Sequence, residues 1–314
     1  MSGESSGMSE ALFYPLRFEP IYQYRLWGGR HLAGLLTAPL PDGPIGEAWV
    51  LSDREDHPSR VADGTLIGQT IAQLLRQYPE QLMGKLAGRF RRFPLLLKFL
   101  DASEMLSVQV HPADNRTDLL PAGETGKTEA WVVLESGSKS RIYAGLRPGV
   151  TEVGLRQAIA NSIVADQLAY ITPQRGDAVF LPAGTVHSLG GGVMVFEVQE
   201  NSDVTFRLYD WNHVDATTGK PRALQVDQAL ASVNFGECAG GLVTPVVEAS
   251  KPVEREWLFH CAHFWLSRLR ADTPSTVGKP DVPSVLVCLA GKGQIEHDGA
   301  TYPIRKGDVS LLPA

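Results

Sequence analysis

"GDAVFLPAGTVHSLGGG", residues 176–192, is the stretch whose reading decides the fold. It fits the spacing G-x5-P-x-G-x2-H through Gly176, Pro182, Gly184 and His187. Glycine permits the tight turns that connect short strands in a closed β architecture. The spacing then predicts that His187 points into the mouth of a barrel. A core histidine satisfied by its neighbours is the bland alternative, and the flanking turn chemistry weighs against it.

This spacing resembles the second sequence motif of the cupin superfamily, whose members are double-stranded β-helix barrels related to jelly rolls. The rest of the chain agrees. Short apolar runs, "EAWVLSD", "PLLLKFL", "LSVQVHP", "EAWVVLE", "DAVFLP" and "VMVFEVQE", are punctuated by 31 glycines and 21 prolines. Short strands with frequent turns predict a mainly β protein. Three stretches read as helix instead: 70–88, with Pro79 breaking it in two, 152–170, with Leu155, Ile159 and Ile163 at helical spacing, and more weakly 221–233. "GDVSLLPA" (307–314) repeats the opening of the 176–187 segment, each preceded by a basic residue, Arg175 or Lys306. Two copies of one β unit are implied. The expected architecture is therefore two cupin barrels: a catalytic domain over 1–235, with a helical insertion near 66–92, and a second cupin-like domain over 236–314. The second copy stops before a counterpart of His187, so the second barrel is expected to lack its C-terminal strands.

Bulk properties narrow the function. The 314 residues carry a net charge of −6, with 43% hydrophobic and 20% charged side chains. That is ordinary for a soluble globular protein, and a nucleic-acid-binding surface would usually be basic. No apolar run approaches the length needed to cross a bilayer. The opening "MSGESSGMSE" reads as a disordered leader without the features of a secretory signal. Cys238, Cys261 and Cys288 are odd in number and widely spaced, which argues against a disulfide framework or a cysteine zinc site. A cytoplasmic setting is expected.

The chemistry starts from "LSVQVHPADN" (106–115), where Gln109 and His111 stand two positions apart in an apolar run. Side chains two apart on a strand share one face, so an otherwise apolar face carries an amide and an imidazole. Glu129 in "GKTEAW" and His187 complete a set of two histidines, one glutamate and one glutamine. Imidazole and carboxylate suit zinc and other divalent first-row metals. Each polar residue alone reads as ordinary; their convergence from separate short strands favours a metal centre. The stretch 195–215 adds Glu197, Glu200, Asp203, Arg207 and Asp210 between apolar residues. Arg207 offers a fork of donors to an oxyanion or phosphate, and a salt-bridged arginine at the barrel rim is an equal reading. Lys127 and Lys98 are further cations near the ligands in sequence, and Lys98 follows three leucines.

Over nearly its whole length the chain resembles the type I phosphomannose isomerases. The resemblance rests on "RLWGGRHL" (25–32), "IGEAWVLSD" (45–53), "PLLLKFLDASEMLSVQVHP" (94–112), "GKTEAWVVL" (126–134), "PAGTVHSLG" (182–190) and "ENSDVTFRLYDW" (200–211). It implies cupin barrels with a helical insertion and one zinc ion per chain, held by Gln109, His111, Glu129 and His187. It implies an active-site arginine at Arg207, a lysine at Lys127, and acidic pocket residues at Glu197 and Asp203. Ser107, Lys98 and Asp203 are the expected substrate-binding residues. Two positions depart from the pattern: His213 stands where arginine is common and Gln225 where histidine is common, neither of them a metal-ligand position.

The implied reaction interconverts mannose 6-phosphate and fructose 6-phosphate, with a proton moving between C2 and C1. The implied partner is a small sugar phosphate, with no role for nucleic acid or membrane. Glu197, Lys127 and a water on the metal are left open as the base. Two rivals share the fold. A cupin oxygenase would use the two histidines and one carboxylate for iron but has no need of Gln109. A non-catalytic sugar-phosphate-binding cupin would bind without turnover.

Overall fold

A computed structural model describes residues 13–214, 219–236, 240–249 and 252–314. The polar leader at 1–10 and Cys238 lie outside the described residues. The chain is mainly β, as expected.

The longest apolar runs become neighbouring strands. Across one antiparallel sheet the order is Ile21–Gly29, Ile45–Leu51, Leu95–Ala102, Val193–Glu200, Glu129–Ser136, Ala178–Leu181 and Gly241–Leu242. Ile45–Leu51 and Val193–Glu200 are buried along their whole length. A strand covered on both faces reads as a continuous apolar run rather than an alternation. A second antiparallel sheet has the order Phe206–Tyr209, Val108–Val110, His187–Leu189, Ile142–Leu146 and Leu168–Ile171. Residues from both sheets, among them Trp27, Leu100, Trp131, Ile142, Leu189 and Val195, form one core. Val108 and Val110 belong to a different core, with Leu155 and Leu230 of two helices. The period of two therefore turns Gln109 to the face opposite the helices.

The helices follow local signals. Thr70 and Gln73 close a reciprocal capping box at the start of Ile71–Gln77, and Pro79 opens a separate short helix, Pro79–Met83. The helix expected over 152–170 is shorter. It covers Glu152–Ala160, Asn161 caps it, and Ser162 adopts a positive φ of 58°. That left-handed conformation ends a right-handed helix, so Ile163 turns to solvent and Leu168–Ile171 becomes a strand. The third expected helix is confined to Val226–Ser232.

Two compact units emerge, and they interleave along the chain. Among the described residues, one contains those of 19–59 and 92–276; the other contains 13–18, 60–91 and 277–314. The sequence reading places a single boundary at 235/236 and assigns the helical insertion to the N-terminal part. In the structure, residues 60–91 group with the C-terminal strands, and Lys85 N donates to Asp281 O at 3.1 Å. In the same unit Leu16 exchanges backbone hydrogen bonds with Leu311, and Phe18 bridges Val61.

The sequence repeat is a repeat of hydrogen bonding. Gly176 and Gly307 both take left-handed φ, 92° and 93°. The Asp177 carboxylate accepts from Gln174 N, and that of Asp308 accepts from Arg305 N. Gly176 N and Asp177 O pair with Val133, as Gly307 N and Asp308 O pair with Cys288. Among the described residues no helix is long and apolar enough to cross a membrane. Cys261 and Cys288 are free thiols.

Candidate metal centre and its buried charges

Strand register assembles the site. His187 stands opposite Gln109, which also stands opposite Arg207. His111 follows one residue after Val108–Val110, and Glu129 is the first residue of Glu129–Ser136. His111, Glu129 and His187 are each at most 2% exposed.

Both imidazoles are oriented from behind. His111 Nδ1 lies 2.9 Å from Val204 O, and His187 Nδ1 lies 2.9 Å from Thr185 O. A carbonyl oxygen only accepts, so each Nδ1 carries the proton and each Nε2 presents a lone pair. His111 Nε2 stands 3.4 Å from Glu129 Oε2, and His187 Nε2 stands 3.1 Å from Glu129 Oε1. Neither Glu129 oxygen has a hydrogen bond of acceptable geometry, although Lys127 Nζ lies 2.9 Å from Oε2. Three acceptor groups converging in a dry interior repel one another unless a cation lies among them. The three side chains fit a divalent metal with nitrogen and oxygen preference.

The protonation states agree. Burial, reinforced by the charge of Lys127, pushes His111 down to about 3, so the ring is neutral as a ligand must be. Burial opposes ionisation of Glu129, but the ammonium of Lys127 outweighs it and the carboxyl is held well below its ordinary range. Lys127 is buried as well, yet the charges of Glu129, Glu197 and Asp203 raise its pKa and keep it an ammonium. Gln109 meets the group with its amide nitrogen, 3.2 Å from His187 Nε2, and Ser107 Oγ donates to its oxygen at 3.3 Å. The two ends of the amide have the same shape, so a half-turn brings the oxygen to the same place.

A row of buried side chains runs across four strands. Trp49 pairs with Lys98, Lys98 with Glu197, and Glu197 with Trp131. Directly opposed residues share one face of a sheet, and Trp131 places that face in the barrel core. Lys98 Nζ lies 3.4 Å from Glu197 Oε2, 3.7 Å from Glu47 Oε2 and 5.0 Å from the centre of the Trp49 ring. Trp131 Nε1 donates to Glu197 Oε1 at 2.7 Å. Trp49 Nε1 and Arg25 Nε donate to Glu47 at 2.6 and 2.7 Å. The two carboxyls diverge. Burial would raise Glu47, but Lys98, Arg25 and the Trp49 N–H outweigh it and hold it at about 2. Burial and the nearby charge of Glu129 raise Glu197 above its ordinary value, despite Lys98 and Lys127.

The structure thus joins Gln109, His111, Glu129, His187, Lys127 and Ser107 in one contact network and sets Lys98 and Glu197 in the adjoining row. Arg207 is half-buried; its Nη1 donates to Ala223 O at 3.1 Å, and its buried Nε has no hydrogen-bond partner. Asp203 is exposed, and its charge acts on Lys127 and Arg54. Sequence reasoning missed Glu47, Trp49 and Trp131. A charged residue inside the otherwise uncharged run "IGEAWVL" was the available signal for Glu47. Gln225, noted only as a departure, accepts from Arg207 N at 3.1 Å and so steadies the strand that carries the arginine.

Comparison with known proteins agrees with this geometry. The family described as phosphomannose isomerase type I, catalytic domain, matches residues 16–129. The mannose-6-phosphate isomerase ManA of Bacillus subtilis is 32% identical, over 95% of this chain and 93% of its own length. A mannose-6-phosphate isomerase of Streptococcus mutans is 33% identical over 95% and 92%. The crystal structure of the mannose 6-phosphate isomerase from Bacillus subtilis superposes with a TM-score of 0.87 and 28% identity, covering 95% of this chain and 93% of that one. The fold is the cupin fold.

Proposed function

This chain belongs to the type I phosphomannose isomerase family, and we propose that it interconverts mannose 6-phosphate and fructose 6-phosphate at the centre formed by His111, Glu129 and His187. The observation that carries the reading is the convergence of two imidazole Nε2 atoms on a carboxylate without hydrogen bonds, beside the ammonium of Lys127 and the raised carboxyl of Glu197.

His111, Glu129 and His187 would hold one zinc ion, with the Gln109 amide as a fourth group. Bound zinc supplies a Lewis acid for the sugar oxygens on C1 and C2, where negative charge develops. The proton leaves C2 and arrives at C1, and Glu197 is the base. Its raised pKa brings proton affinity toward the working pH, where a general base is most effective. Lys127 stays charged and serves as a fixed positive group rather than a base. Arg207 adds charge stabilisation through donors that are not all used within the protein. Lys98 holds the carboxylate of Glu197 in place, and the Ser107 hydroxyl, which can accept as well as donate, would take the amide N–H once the Gln109 oxygen faces the ion. Lys98, Ser107 and Asp203 are the residues that would meet the substrate, an anion that a protein of net charge −6 can bind only at a local basic cluster. A sugar-phosphate substrate suits the cytoplasmic setting expected from the sequence. The repeated Gly-Asp turn supports reading the C-terminal strands as part of a second cupin-like domain.

A coupled assay tests the proposal. The purified chain should form fructose 6-phosphate from mannose 6-phosphate, and chelator should abolish the activity until zinc is restored. Folded, zinc-loaded protein without turnover would rule the activity out. Iron content with oxygen consumption would favour the oxygenase reading instead.

A further inference from the structure

Asp114, Glu200 and His263 form a second group whose donor atoms all lie within 4.8 Å of one another. They come from three distant segments: the loop after His111, the last residue of Val193–Glu200, and the turn between Val253–His260 and Trp265–Ala271. Glu200 is 7% exposed, whereas Asp114 and His263 face solvent. Each carboxylate is held from behind by a backbone amide. Gly126 N donates to Asp114 Oδ1 at 2.7 Å, and Thr128 N donates to Glu200 Oε2 at 2.7 Å. The other Glu200 oxygen, Oε1, meets His263 Nδ1 at 3.1 Å.

We propose that Asp114, Glu200 and His263 bind a second divalent transition-metal ion, separate from the catalytic centre. Two carboxylates and one imidazole give a charge of −2 with one nitrogen donor. That set suits zinc or cobalt better than calcium or magnesium, which take oxygen alone. Glu200 is buried, so a cation beside its carboxylate offsets the cost of keeping an anion out of water. The amides that orient the two acids supply the outer support that metal ligands commonly have.

The position gives the ion a structural task. Gly126 and Thr128 flank Lys127, and Thr128 precedes Glu129. Glu200 N also donates to Thr128 O at 3.1 Å, so Glu200 grips Thr128 through both backbone groups. An ion joining Asp114 to Glu200 and His263 would fasten the loop after His111 to the barrel and hold the backbone that carries Lys127 and Glu129.

Titration of the metal-depleted full chain with Zn2+, and separately with Co2+ followed by its visible absorption, tests the proposal. The wild type should take up about two ions per chain, one for each group of three donors. His263→Ala and Asp114→Asn should each lose one equivalent and keep the other. Glu129→Gln should also lose one, but the cobalt spectrum that remains should differ from that of His263→Ala. The second equivalent should raise the melting temperature of the wild type and not that of His263→Ala. Uptake of a single ion by the wild type, or a stoichiometry unchanged by either substitution at His263 or Asp114, overturns the site. Neither result bears on whether the chain isomerises sugar phosphates.

Discussion

Trp131 Nε1 donates to Glu197 Oε1 at 2.7 Å, and Lys98 Nζ stands 3.4 Å from the other oxygen of the same carboxylate. The two contacts pin Glu197 in one orientation within the barrel, where burial and Glu129 raise its proton affinity while Trp131 and Lys98 lower it. Its basicity is therefore set by an adjustable balance.

Trp131→Phe keeps the aromatic packing and removes the N–H. The Glu197 carboxylate loses a donor, so its pKa rises. The acid limb of kcat/KM against pH should move to higher pH. An unmoved limb would mean that Glu197 is not the group it reports.

Glu197→Gln should lower kcat by about 10²–10⁴-fold, the usual contribution of a general base. Bound zinc should not change, because Glu197 is not among the three convergent ligands. Metal analysis and steady-state kinetics on one preparation check both halves.

Arg207→Ala should lower turnover and leave metal content intact, since Arg207 is not among the three convergent ligands. Removing one donor to a developing negative charge typically costs about 10²–10³-fold in kcat. Loss of metal together with activity would show that Arg207 supports the ligands rather than the charge.

Glu47 links pH to stability. Its folded pKa of about 2 lies below the ordinary 4.5. Its contribution is full above 4.5 and is lost as pH falls toward 2. A shift of this size corresponds to about 3 kcal/mol. Glu47→Gln should be less stable than wild type at neutral pH, and the gap should narrow steadily below pH 4.5 in urea unfolding.

Much of the fold was legible because strand formation here is local. The apolar runs 47–53, 94–100, 129–135 and 193–200 each overlap a strand of the larger sheet. The 176–187 motif was legible for the same reason, since a left-handed glycine and an aspartate that accepts from three residues back are features of consecutive residues. The end of the helix at Ala160 was less legible, because Ser162 at positive φ carries no glycine to announce it.

By itself the sequence determined the mainly β character, the Gly-Asp repeat and the sharing of one strand face by Gln109 and His111, because period-two alternation and turn chemistry are written in neighbouring residues; Glu129, His187 and Lys127 joined them through separate motifs and the family resemblance. Only the tertiary structure decided that Trp49, Lys98, Glu197 and Trp131 form one row, that Glu47 answers Lys98, and that residues 60–91 group with the C-terminal strands. Those relations come from strand order and register, which bring together residues far apart in the chain and so leave no local pattern to read.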